Sequence, residues 1–178
     1  RNRALSGQKK SEFPPHEPVE EALSRLRQGH QRMRSLAAPP AGSGHTVLPV
    51  LVPPWNRLAS GELWPRLGSI GFHGISTFGP RKPAQAQPGL IQVNTHVDII
   101  DWHGSRGFAG ETTVLGQALQ HLQARRTGQA DADEATGWLT HHAVHDAACW
   151  DFLARLFEAT QHHGGVQWCA ARSLFAGA

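Results

Sequence analysis

The 178-residue sequence contains only two cysteines, Cys149 and Cys169, and no tyrosine. Because no second cysteine pair exists, a disulfide framework is excluded and a thiolate-based structural zinc site is not expected. Both cysteines are predicted to be small, buried apolar residues. The sequence also lacks a run of 18 apolar residues, so no membrane span is predicted, and no signal peptide is visible.

The sequence also carries little net charge, because its 17 basic and 14 acidic residues give only +3. The densest basic stretch is Arg1 to Lys10, which we interpret as a solvated terminus, and no nucleic-acid partner is expected. Twelve histidines and six tryptophans stand out against this background. Such enrichment is typical of metal or sugar chemistry, and composition alone does not choose between them.

Apolar periodicity predicts one α/β domain over residues 1–178, with residues 1–18 as a loop. The predicted helices are Val19–Leu36, Ser60–Leu67, Thr112–Arg126, Asp146–Thr160 and Ala170–Phe175. The predicted strands are Thr46–Val52, Gly74–Phe78, Ile91–Ile100, Gly137–His141 and Val166–Cys169. This alternation favours a mostly parallel sheet covered by helices, in which functional residues gather at the carboxyl ends of strands.

Some side chains are assigned to the core from the same pattern. The third helix is expected to bury Leu115, Ala118, Leu119 and Leu122. The core tryptophans are expected to be Trp64, Trp138, Trp150 and Trp168. Trp55 and Trp102 stand beside polar clusters instead, and they could stack on a sugar ring.

The first polar cluster follows the first predicted strand and consists of Pro53, Pro54, Trp55, Asn56 and Arg57. Two prolines stiffen the turn, which could hold a backbone N–H toward a substrate oxygen. The guanidinium of Arg57 could pair with a carboxylate through two hydrogen bonds. The alternative is a proline-rich loop with a packing tryptophan.

The second cluster runs from His96 to Trp102. Strand alternation places His96 and Asp98 on one face, so Asp98 lies within a largely apolar strand and needs a partner. It is expected either to orient a catalytic arginine or histidine, or to accept hydrogen bonds from a neighbouring loop. Asp101, at the strand end, could instead cap a turn.

The third cluster follows the fourth predicted strand, where His141 is placed to act as a general acid or base near pH 7. His142 and His145 are interpreted as loop residues, and Asp146 as the N-cap of the next helix. A metal site through His141 and His145 requires a helix at His141, where a strand is predicted. The other histidines, including His121, show no ligand spacing.

Together and in this order, three short motifs resemble those of the polysaccharide deacetylase (NodB-homology, carbohydrate esterase 4-like) family. They are Pro53-Pro54-Trp55, the segment Asp98 to Trp102, and Leu139-Thr140-His141. The resemblance implies the C-terminal portion of a distorted (β/α) barrel. It also implies metal-dependent hydrolysis of an acetyl group on a polysaccharide or related N-acetylated carbohydrate.

The resemblance also implies roles for individual residues. His141 would protonate the leaving amine, and Asp98 or Asp101 would orient His141 or Arg57. The backbone near Trp55 would bind the developing oxyanion. The substrate-binding residues would be Pro54, Trp55, Asn56 and Trp102.

The sequence departs from the family pattern at several points. It has no Asp-Asp pair and no His-x-x-x-His before Val47, and Val52 stands where the family has arginine. We therefore expect the ligands of a divalent metal, zinc or similar, to precede residue 1, and the chain alone to be inactive. Two alternatives stay open, which are a non-catalytic glycan-binding relative and another metal-dependent amidohydrolase with ligands His96, His141 and His142.

Overall fold

The computed structural model describes residues 1–37, 47–58, 61–82 and 87–176. The chain divides into two compact units. Unit 1 comprises Arg1–Thr77, Lys82–Val93 and Phe175–Ala178, and unit 2 comprises Phe78–Arg81 and Asn94–Leu174. Both units combine helices with short parallel strands, which confirms the α/β class, and the strands within the described ranges do not close into a barrel. The single-domain assignment stays a prediction.

Unit 1 contains helix α1, Val19–Leu36, and a three-stranded parallel sheet. The strands pair in chain order and are β1 Val50–Leu51, β2 Gly74–Ile75 and β3 Ile91–Gln92. The helix has the predicted bounds because its apolar residues recur at helical spacing, and it buries one stripe in the core of this unit. The buried residues of that stripe are Ala22, Leu23 and Leu26.

Unit 2 contains a two-stranded parallel sheet formed by β4, Val97–Asp98, and β5, Trp138–Leu139. Its helices are α2 Glu111–Arg126, α3 Ala147–Thr160 and α4 Ala171–Leu174. The core of the unit lies between the sheet and the first two of these helices. Its buried apolar residues are Val97, Ile99, Ile100, Val114, Ala118, Cys149 and Phe152. No helix in the described part of the chain has the length and apolar character needed to cross a bilayer.

The predicted strand Ile91–Ile100 is wrong as a single element, because it splits into β3 and β4 in different sheets. Val93 N–H still donates to Ile75 O, whereas His96 N–H donates to Gly137 O. Between them, the Asn94 amide donates to Gly79 O at 2.7 Å. A local pattern of apolar residues cannot show that the pairing partner changes within one run.

Two other predicted elements also differ. The segment Val166–Cys169 is not a strand, since it is exposed and Val166 N–H closes a turn onto His163 O. In place of one helix over Ser60–Leu67, short 3₁₀ turns form at Trp64–Arg66 and Gly68–Ile70. Ser60 and Thr46, which begin two predicted elements, lie outside the described residues.

Several burial predictions are wrong as well. Trp150 and Trp168 are exposed, as is Cys169, whereas Trp64 and Cys149 are buried as expected. On α2, Ala118 is buried as predicted, but the three leucines predicted to be buried with it are exposed. The exposed leucines are Leu115, Leu119 and Leu122, and the buried residues are Val114, Ala118 and His121.

Asp146 is the N-cap of α3, as predicted. Its carboxylate accepts hydrogen bonds from Cys149 N–H at 2.8 Å and from Phe108 N–H at 3.0 Å. These two bonds, that from Phe108 first, hold the pKa of Asp146 below its ordinary value. The cap therefore also fixes the segment that precedes α2.

Replacement of Gly116 by alanine is expected to raise the free energy of unfolding by about 0.5–1 kcal/mol. Gly116 is exposed in the interior of α2, and a Cβ there would meet no atom within 4 Å. Chemical denaturation checks this result. The matched control is Gly110→Ala at the N-cap of the same helix, where φ is +85° and the substitution is expected to be destabilising.

Candidate functional site

Asp98 and His141 meet at the carboxyl ends of β4 and β5. Asp98 is the last residue of β4 and pairs with Leu139, so His141 lies just beyond the end of β5. His141 Nε2 is 3.2 Å from Asp98 Oδ1. Because parallel strands end at the same edge of a sheet, residues 43 positions apart in sequence form one pair.

The Asp98 carboxylate is partly buried and receives two further hydrogen bonds. Ile100 N–H donates to Oδ1 at 3.0 Å, and the Trp102 indole N–H donates to Oδ2 at 2.9 Å. Both kinds of contact that the sequence allowed are present, because the carboxylate contacts a histidine and also accepts a local backbone N–H; the catalytic role of Asp98 stays a prediction. Its two oxygens are held in one orientation.

The backbone on both sides of the pair is also held by side chains. Gln117 of α2 accepts from Asp98 N–H at 2.9 Å and donates to Asp98 O at 3.5 Å. His145 Nε2 accepts the His141 N–H at 3.1 Å, and its ring packs edge-on against Trp150. Gln117 was not predicted as a site residue. The sequence offers one indication of its position, which is that it directly precedes the buried Ala118 of the same helix.

The arrangement determines how the His141 ring can act. The carboxylate at Nε2 assigns the proton of the neutral ring to that nitrogen. Nδ1 is then available to another group. A carboxylate in this position fixes the ring orientation. The group composed of Asp98, His141 and Trp102, which we call the dyad site, can therefore hold and deliver a proton.

Trp102 forms one wall of the dyad site. Its ring meets that of His141 edge-on, with centroids 4.8 Å apart and planes at 88°. The side chain is 42% exposed, although its N–H is bonded to Asp98. An exposed indole face beside a proton donor is a surface on which a sugar ring can stack.

Asp101 does not share this role in the structure. Its carboxylate accepts the backbone N–H groups of His103, Gly104 and Ser105 at 3.2, 2.9 and 3.2 Å. These bonds, that from Ser105 first, hold the pKa of Asp101 below its ordinary value. Asp101 is thus a loop cap, and the contact with His141 belongs to Asp98.

The other predicted site residues lie in unit 1, on the 3₁₀ turn Pro54–Asn56 that follows β1. Trp55 and Asn56 have φ of 57° and 55°, a left-handed conformation that is uncommon for residues with side chains. Trp55 is 42% exposed. The Arg57 guanidinium donates to Lys10 O at 2.9 Å, which anchors the turn within its own unit. Their catalytic and substrate-binding roles stay predictions.

Unit 2 also contains a buried polar cluster that was not predicted from the sequence. His96, His121 and Glu134 are buried, and their ligand-type atoms all lie within 4.8 Å of one another. Among the described residues, this is the group of three that could hold a metal ion. His96 is therefore placed with His121 and Glu134, not with His141 and His142 as in the amidohydrolase alternative.

No known family model, curated protein or solved structure with which the chain was compared matches it. The function is therefore inferred from the chain's own residues.

Proposed function

We propose that this chain contributes the proton-donating part of a hydrolytic site that removes acetyl groups from an N-acetylated carbohydrate. His141 is the general acid and Asp98 is the carboxylate that orients it. Trp102 forms the wall against which the sugar ring packs. The observation that carries the proposal is the pair formed by His141 Nε2 and Asp98 Oδ1 at 3.2 Å, at adjoining strand ends.

The chemistry that follows is the cleavage of an amide. The oxygen of water bonds to the acetyl carbon while one water proton passes to solvent, and the C–N bond breaks when the leaving nitrogen receives a proton. His141 supplies that proton from Nδ1 and regains it from solvent, while Asp98 holds the ring in orientation through Nε2. The products are acetate and the free amine. A partly buried dyad with one exposed edge suits this step, because the donor stays oriented while the substrate can approach.

The resemblance also implies a divalent metal, which polarises an acetyl carbonyl and lowers the pKa of bound water when present. The residues of the dyad site do not fit it. Asp98 Oδ1 and Oδ2 are occupied by N–H donors, and His145 Nε2 accepts the His141 N–H. The role of the dyad site is therefore limited to holding and transferring a proton.

The finer fold assignment is part of the same proposal. We infer that the short parallel strands, which do not close into a barrel within the described residues, are the C-terminal portion of a distorted (β/α) barrel of the polysaccharide-deacetylase type. What supports it is the placement of Asp98 and His141 at strand ends, since barrel enzymes position catalytic residues there.

A non-catalytic glycan-binding protein is the second candidate. It is favoured by the exposed Trp102 and by Val52, which stands where the family has arginine. In this alternative the sugar binds against the indole, and His141 contacts it without transferring a proton.

Acetate release from N-acetylated oligosaccharides distinguishes the two candidates. The protein is expressed from its natural coding sequence, with any residues that adjoin this chain retained, and binding is followed by tryptophan fluorescence. The proposal expects acetate release, and the second candidate expects saturable binding without release. A protein that neither binds nor deacetylates these oligosaccharides contradicts both.

A further inference from the structure

The buried cluster of unit 2 joins three separate segments. His96 precedes β4, His121 is on the buried side of α2, and Glu134 lies in the loop before β5. Their side chains are 2%, 3% and 0% exposed. The two imidazole rings stack with centroids 3.5 Å apart and planes at 17°.

The Nε2 atoms of both histidines are directed at the Glu134 carboxylate. They lie 3.3 Å from Oε1 in His96 and 3.7 Å from Oε2 in His121. Neither nitrogen makes a hydrogen bond of acceptable geometry with any described residue, although both are buried. Unsatisfied buried nitrogen atoms are costly, so two of them aimed at one point call for a further partner.

We propose that His96, His121 and Glu134 form a buried binding site for a zinc-like divalent cation. The two Nε2 atoms and one carboxylate oxygen supply three donors, and a water molecule would complete the four-coordinate arrangement of zinc. Zinc–ligand bonds of about 2.0–2.1 Å require donor atoms about 3.4 Å apart, so the present separations of up to 4.8 Å need only a modest closure.

The surroundings hold all three ligands in place. Thr136 Oγ1 is 2.9 Å from His121 Nδ1, and Arg81 N–H donates to both Glu134 oxygens at 3.1 and 3.0 Å. Partners of this kind orient ligands and raise metal affinity. The Thr136 hydroxyl can accept from Nδ1–H, and in that tautomer of His121 the Nε2 lone pair is directed at the cluster.

His96 binds a cation only after a change of tautomer. Gly137 N–H donates to His96 Nδ1 at 3.1 Å, so the neutral ring carries its proton on Nε2. A neutral imidazole binds a metal through a free lone pair, so the proton has to move from Nε2 to Nδ1 and the hydrogen bond from Gly137 has to open.

Metal content after exposure to zinc tests the site. The full chain is refolded with zinc at pH 8, dialysed against zinc-free buffer and analysed by mass spectrometry. About one ion per chain is expected, because the three ligand side chains are buried and release of the ion requires local opening. Glu134→Gln and His121→Gln are each expected to retain at most a tenth as much. His162→Gln, at an exposed histidine, is the matched control and should retain the wild-type amount.

A measurement on the wild-type chain keeps the proposal testable if a variant fails to fold. Cobalt substitution should give the visible absorption of a tetrahedral ion without a thiolate band. A wild-type chain that retains no zinc, a cobalt thiolate band, or unchanged retention in folded His121→Gln would each overturn the site. None of these readouts depends on acetate release, so the metal site and the proposed deacetylation can each be disproved independently of the other.

Discussion

Replacement of His141 by asparagine is expected to lower the rate of acetate release by about 100- to 10,000-fold, the usual contribution of a positioned general acid. Asparagine keeps a hydrogen-bonding group near Asp98 but cannot deliver a proton to the leaving amine. The loss should fall on kcat, because Trp102, which is proposed to bind the sugar, is retained and keeps its hydrogen bond to Asp98. Initial rates of acetate formation over a range of oligosaccharide concentrations check this.

The neighbouring His142 is the matched control for this experiment. It is exposed and follows His141 directly, so His142→Asn should leave the rate of acetate release within about twofold of wild type. A folded His141→Asn variant with the wild-type rate would remove His141 from the reaction. Equal losses in both variants would instead favour the amidohydrolase alternative, in which both histidines are metal ligands.

Replacement of Gly137 by alanine is expected to destabilise unit 2 by about 3 kcal/mol, at the upper end of the range for overpacked sites. A Cβ at this position would lie 2.2 Å from Asn94 O and 2.9 Å from Thr95 Cα, which are backbone atoms that cannot rotate away. Gly137 O also accepts N–H bonds from His96 and Val97, so any shift separates β5 from β4.

Urea denaturation of Gly137→Ala measures this effect, with Gly164→Ala as the matched control. A Cβ at Gly164 would meet no atom within 4 Å, and this glycine does not have a positive φ, so its alanine variant should match wild type. Because the pairing of β4 with β5 brings Asp98 close to His141, the Gly137 variant should also lose acetate release. Equal stability of the two variants would mean that Gly137 does not make the close contact described.

The elements that could be predicted from sequence are those fixed by local signals. Helix α1 has the predicted bounds because its apolar spacing is regular, and α3 begins after Asp146 because that carboxylate caps its first turn. Both signals act within one or two turns. Neither needs knowledge of which segments pair in the folded chain.

The errors arise where tertiary pairing decides. The apolar run Ile91–Ile100 changes sheets at Asn94, since its two halves pair with Ile75 and with Gly137. On α2, the leucines favour one face of the helix, but the helix buries the side that contains His121. Composition of one element does not show which side its neighbours cover.

The candidate site was predicted only in part for the same reason. His141 and Asp98 were recognisable because each follows an apolar strand, but two carboxylates, Asp98 and Asp101, fitted the role equally well. The choice depends on the register of β4 with β5, which places Asp98 opposite Leu139. Glu134 gave no signal, because it lies in a polar loop and is buried only through contacts with Arg81 and two distant histidines.

A double-mutant cycle on acetate release tests the central claim, that Asp98 and His141 act as one unit. The cycle compares wild type, Asp98→Asn, His141→Asn and the double variant, all shown to be folded by circular dichroism. If Asp98 acts only through His141, the double variant should be no slower than His141→Asn within about threefold, although Asp98→Asn alone loses at least about tenfold. Losses that multiply in the double variant, or an Asp98→Asn variant with the wild-type rate, would contradict the claim.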